Sequence, residues 1–127
     1  MEVVLLSPPF AFVLYLALVG VLSGFGRMLA ARGHQATIHD SPVAALAAFR
    51  ADPAAFDAVI ADQTMPDMSG RDLLLAMGSL RPDLARVLWT GYSESMDDAK
   101  AAELGFAGFM RKPVTIEELD ALLARLF

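Results

Sequence analysis

Phe56-Asp57-Ala58-Val59-Ile60-Ala61-Asp62-Gln63-Thr64-Met65-Pro66-Asp67-Met68-Ser69-Gly70 decides the fold. A short apolar run ends at a carboxylate, Asp62. Pro66 and Gly70 then mark a loop, and helical spacing follows. The run reads as a buried strand and the loop as its exit into a helix. Open α/β sheets gather their chemistry at the carboxyl ends of parallel strands, and Asp62 stands at such an end. Two later apolar runs also stop at polar side chains: Val87-Leu88-Trp89 at Thr90, and Phe109-Met110-Arg111 at Lys112. A carboxylate, a hydroxyl and an ammonium at three strand ends can hold one phosphoryl group.

The alternation extends outward from this stretch. Upstream, residues 35–39 predict a strand. Ser41-Pro42 then starts a helix, with Ser as N-cap, Pro at the first helical position, and Val43, Leu46, Ala47 and Phe49 as its apolar face. Downstream, residues 69–80 predict a helix that buries Leu73, Leu74 and Met77, and Arg81-Pro82-Asp83 breaks it. A strand over 86–89, a short helix over 96–104 ending at Gly105, and a strand over 106–110 follow. Thr115-Ile116-Glu117-Glu118 is a capping box, and Ile116, Leu119, Leu122, Leu123 and Leu126 continue it as a helical stripe. Strands and helices that alternate over short connections predict a parallel sheet with helices on both faces. Val13-Leu14-Tyr15 reads as the first strand and residues 21–32 as the first helix, with residues 1–11 as an extension ahead of a domain spanning 12–127.

Composition narrows the function. The chain has 127 residues, enough for one domain with a single core, and a formal net charge of −5. An acidic domain is poorly suited to electrostatic binding of nucleic acid, so no such partner is expected. There is no cysteine, hence no disulfide, thiolate metal site or cysteine nucleophile. His34 and His39 flank a predicted strand and read as structural or surface residues. Met65 and Met68 read as loop and core packing. A dinucleotide enzyme is disfavoured because Gly24-Phe25-Gly26-Arg27-Met28-Leu29 lacks the third glycine of GxGxxG. A haloacid-dehalogenase-type phosphatase needs a second Asp two residues after the first, where this chain has Thr64. No nucleotide-binding G-x-x-x-x-G-K-[ST] loop is present.

In this order and spacing, Asp62, Thr90-Gly91, Phe109 and Lys112-Pro113 resemble the receiver domain of two-component response regulators over roughly residues 12–127. Trp89-Thr90-Gly91-Tyr92 and Arg32-Gly33-His34 are most similar to receivers attached to sensor histidine kinases. The resemblance implies a flavodoxin-like, doubly wound (βα)5 parallel sheet with strand order 2-1-3-4-5, an order for which a family member is itself a standard illustration. It implies that Asp62 accepts a phosphoryl group from a histidine kinase or phosphotransfer protein, in the cytoplasm. It gives Thr90 and Lys112 the phosphoryl oxygens, Phe109 the role of an aromatic switch, and Asp62 with the Thr64 main-chain carbonyl a place around Mg2+. Output would pass to a downstream protein through the fourth helix, fifth strand and fifth helix.

One part of the family pattern is missing. An acidic pair is expected about 44 residues before the phosphoacceptor, and Ala17-Leu18 stand there. Magnesium binds through carboxylates, waters and phosphate oxygens, so weak metal binding and impaired phosphorylation are expected. A non-phosphorylated pseudo-receiver that acts as a protein-interaction module is the alternative. A second alternative is a membrane-tethered receiver, because residues 3–26 carry no charge and Gly20 to Gly24 form a GxxxG pattern. The Ser7-Pro8-Pro9 interruption and the need for a central strand argue for a domain core instead.

Overall fold

The computed structural model describes residues 3–6, 36–39, 41–65, 67–91, 96–111 and 115–126. Its strands are β1 (Val3–Leu6), β2 (Ala36–His39), β3 (Ala58–Asp62), β4 (Ala85–Thr90) and β5 (Gly108–Arg111). Its helices are α1 (Pro42–Ala51), α2 (Gly70–Leu80), α3 (Asp98–Glu103) and α4 (Ile116–Leu126), with a 3-10 turn at Pro53–Ala55. The predicted first helix, residues 21–32, lies outside the described residues.

Local chemistry explains the helix ends. Ser41 Oγ accepts the Ala44 N–H at 3.3 Å, and Pro42 occupies the first turn. Ser69 Oγ accepts the Asp72 N–H at 3.1 Å, and the Asp97 carboxylate accepts the Lys100 N–H at 2.7 Å. Thr115 Oγ1 accepts the Glu118 N–H at 3.1 Å, the donor expected of the capping box. Gly105 closes α3 with φ +82°, where a side chain would be strained.

The sheet has five strands in the order β2-β1-β3-β4-β5. The flavodoxin-like class and the strand order agree with expectation. β3, β4 and β5 run parallel, with Asp62 opposite Trp89 and Thr90 opposite Arg111. The central strand departs from the expected one in identity and direction. Val3–Leu6, expected to precede the domain, fills the slot between β2 and β3 and pairs antiparallel with both. Val13-Leu14-Tyr15, read as that strand, lies outside the described residues. Both runs are short, uncharged and rich in Val and Leu, and an apolar pattern specifies burial without specifying strand direction.

This placement also bears on the membrane alternative. A span cannot begin at residue 3, because the backbone of residues 3–6 is paired on both sides within a sheet. Among the described residues, no helix is long and apolar enough to cross a membrane.

β3 is buried along its whole length, as a strand covered on both faces must be. Leu73, Leu74 and Met77 of α2 and Ala45, Leu46 and Phe49 of α1 join the core, with the Phe49 and Phe56 rings 6.2 Å apart. The buried stripe of α1 is Pro42, Ala45, Leu46 and Phe49, so the expected face was partly misassigned. Val43 is 58% exposed, and Ala47 is exposed as well. Ile116 likewise stands out in solvent, whereas Leu119, Leu122 and Leu123 of the same helix are buried.

An unexpected buried guanidinium joins two parts of this core. Arg86 on β4 is 7% exposed and donates to the Leu74 carbonyl at 3.1 Å and the Gly105 carbonyl at 2.9 Å. It lies 5.8 Å from the Phe106 ring centroid. Burial pushes its pKa below the usual arginine value. Gly78 admits it: a Cβ there would lie 1.9 Å from Arg86 Nη1.

Candidate functional site

Asp62 ends β3 at the carboxyl edge of the parallel strands and is only 2% exposed. Its Oδ1 accepts the Thr64 N–H at 3.1 Å, which fixes the carboxylate against the start of its own loop. Gln63 then holds the loop to its neighbours. Its N–H donates to the Trp89 carbonyl at 2.9 Å, its carbonyl accepts the Gly70 N–H at 3.1 Å, and its side-chain Oε1 accepts the Arg71 N–H at 3.0 Å. Thus the residue after Asp62 clamps the exit of β3 to both β4 and the first turn of α2. Asp67 turns the loop with φ 70°, a left-handed conformation that Asp tolerates better than most residues.

Gly70 has a role that loop composition alone did not reveal. A Cβ at this position would lie 2.3 Å from the Asp62 main-chain oxygen and 2.7 Å from its carbonyl carbon. Only glycine lets α2 begin so close to the acidic residue. The signal was present in the sequence as a glycine at the helix start, but spacing does not show what that glycine faces.

Thr90 ends β4 and is 1% exposed. Its Oγ1 donates to the Met110 carbonyl at 3.3 Å, so the hydroxyl bridges β4 to β5 in this state. A Cβ on the following Gly91 would meet nothing within 4 Å, which leaves open space beside the strand end. Phe109 is partly buried and packs on the core, with the Arg111 guanidinium 5.3 Å from its ring centroid. The structure therefore brings Asp62, Thr90 and Phe109 to the adjacent strands β3, β4 and β5. Lys112, Ala17 and Leu18 lie outside the described residues.

No group of three or more His, Cys, Asp or Glu side chains gathers among the described residues to hold a metal ion. The carboxyl end of β1, Leu6, pairs with Ala58, whereas Asp62 lies at the other end of β3.

A concave feature lies between β5 and α4. A cleft of about 390 Å3 is bordered by Phe109, Arg111, Glu118, Leu122 and Arg125.

An open α/β sheet with a buried carboxylate at one strand end and a hydroxyl at the next defines a class of small site-bearing domains. Within that class, residues 19–124 match the family model described as "Response regulator receiver domain", and the chain belongs to this family. The match begins after Ala17-Leu18. The chain is 34% identical over 93 residues to the two-component response regulator ORR21 of Oryza sativa subsp. indica, covering 73% of this chain and 13% of the relative. It is 33% identical over 69 residues to the DNA-binding transcriptional regulator NtrC of Azospirillum brasilense, covering 54% of this chain and 14% of the relative. The chain therefore spans only a small fraction of the curated relatives it matches. A receiver-domain protein from Clostridium thermocellum superposes with a TM-score of 0.76 at 26% identity, covering 84% of this chain and 85% of that one. The NtrX receiver domain of Brucella abortus gives a TM-score of 0.74 at 23% identity, covering 85% and 90%, and shares the fold.

Proposed function

We propose that this receiver accepts a phosphoryl group on Asp62 from a phosphohistidine of a histidine kinase or phosphotransfer protein, and that it does so slowly. The observation that carries the reading is the burial of Asp62 at the carboxyl end of β3, one strand from the buried hydroxyl of Thr90. An Asp62 oxygen attacks phosphorus, the phosphorus–nitrogen bond breaks, and its electron pair returns to the imidazole. The product is an acyl phosphate. Thr90 then exchanges its bond to the Met110 carbonyl for one to a phosphoryl oxygen, where donation to an anion is stronger. Lys112 supplies a positive charge to the same oxygens, by resemblance to the family.

Magnesium serves phosphorylation in receiver domains generally. Here Asp62 and the Thr64 carbonyl are the proposed protein ligands, without help from Ala17 and Leu18. Weak metal binding, from Ala17 and Leu18 at the usual acidic positions, is the reason for the slow rate. The same replacement of the acidic pair favours a second reading, a pseudo-receiver that binds partners without phosphorylation. In either case the partner is a protein, in the cytoplasm, and the cleft between β5 and α4 supports that end of the domain as the contact face. Peptide mapping after acetyl phosphate treatment tests the first reading. A phosphoryl group on the peptide bearing Asp62 supports it, and a group located elsewhere overturns it.

A further inference from the structure

Phe109, Met110 and Arg111 of β5 are tied to one another, to β4 and to the segment ahead of α3. The Arg111 guanidinium lies over the Phe109 ring. Its Nη2 donates to the Met96 carbonyl at 2.6 Å, two residues ahead of α3. Between them, the Met110 carbonyl accepts the Thr90 hydroxyl. Arg111 is also the register partner of Thr90 across β4 and β5. Nothing in the sequence had pointed to Arg111.

We propose that Arg111 is a positioning residue that latches Phe109 and the lead-in to α3 together, so that the ring and the helix start are released as a unit. A planar guanidinium can offer one face to an aromatic ring while its edge donates to a carbonyl. Both contacts therefore draw on one group. Phe109 cannot leave its place without uncovering the guanidinium. The segment at Met96 cannot shift without drawing the guanidinium off the ring. Loss of either contact weakens the other, which couples the two movements. The trigger, departure of the Thr90 hydroxyl from Met110, rests on the receiver reading. The latch itself belongs to the unphosphorylated chain.

The test is NMR of the full chain with 13C-labelled phenylalanine, without phosphodonor or magnesium. The chain has eight phenylalanines, so Phe109→Leu identifies the signal. Arg111→Met is expected to raise the minor ring population about 2- to 5-fold and to perturb the Met96 amide. Arg111→Lys keeps a charge near the ring but cannot serve both contacts equally, so it falls between. Ring and Met96 signals that ignore both substitutions overturn the latch. If Arg111→Met does not fold, Arg111→Lys alone decides by the same signals. Addition of acetyl phosphate and magnesium separates the two claims. A ring that responds to Arg111 in a chain that is never phosphorylated keeps the latch and removes the receiver trigger. Phosphorylation with a ring indifferent to Arg111 does the reverse.

Discussion

The Thr90 hydroxyl donates to the Met110 carbonyl at 3.3 Å, so the group assigned to the phosphoryl oxygens is engaged across the sheet in this state. In the proposed phosphotransfer, its release would link the chemistry at Asp62 to β5. Thr90→Val removes the donor and is expected to lower stability by about 1 kcal/mol. It should also reduce acyl-phosphate yield by roughly 10-fold or more, the scale of losing one aimed donor. Thr90→Ser should recover most of the yield. Urea denaturation and intact-mass analysis of the three proteins check this, and equal yields in Thr90→Val and wild type would remove Thr90 from the site.

Gly70→Ala should move the start of α2 away from Asp62, because the added Cβ meets the Asp62 backbone at 2.3 Å. Backbone cannot rotate aside as a side chain can. The expected loss is about 1–3 kcal/mol, beyond the small gain in helix propensity. A melting curve reads the stability, and the amide shifts of Asp62 and Gln63 read the displacement. A variant as stable as wild type would contradict the close approach.

Arg86→Ala should destabilise by roughly 2–4 kcal/mol, since it opens a cavity and removes donors from the Leu74 and Gly105 carbonyls. Arg86→Met refills the space without burying a charge and should lose less than half as much. Chemical denaturation ranks the two. Equal losses in the two variants would show that the guanidinium and its hydrogen bonds matter more than the packing.

Val4→Pro tests the antiparallel centre of the sheet. Proline cannot donate to a ladder, and β1 is flanked by β2 on one side and β3 on the other. A loss of about 3 kcal/mol or more is expected in urea. A neutral effect would show that Val3–Leu6 is not the central strand.

Much of this fold was legible because helix ends and strand ends carry chemical marks. Ser41-Pro42 and Thr115 announced two helix starts, and each hydroxyl accepts the backbone N–H expected of a cap, as Ser69 also does. Asp62 and Thr90 were found because a polar residue closing an apolar run is unusual. The first strand was not legible in the same way. Residues 3–6 and 13–18 share the same apolar character, and burial pattern alone cannot say which one enters the sheet or in which direction. Arg86 was missed for a related reason. Within an apolar run, a single arginine looks like an exposed position, and only tertiary packing shows the glycines and carbonyls that receive it. Gln63 was passed over because its three partners lie on β4 and in the first turn of α2.

The most direct test is intact-mass spectrometry of the purified chain with acetyl phosphate and magnesium, beside Asp62→Asn and a receiver that retains its acidic pair. Wild type should gain one phosphoryl group, more slowly than the intact receiver, and Asp62→Asn should gain none. No gain in a folded wild-type chain, or an undiminished gain in Asp62→Asn, would contradict phosphoacceptance at Asp62.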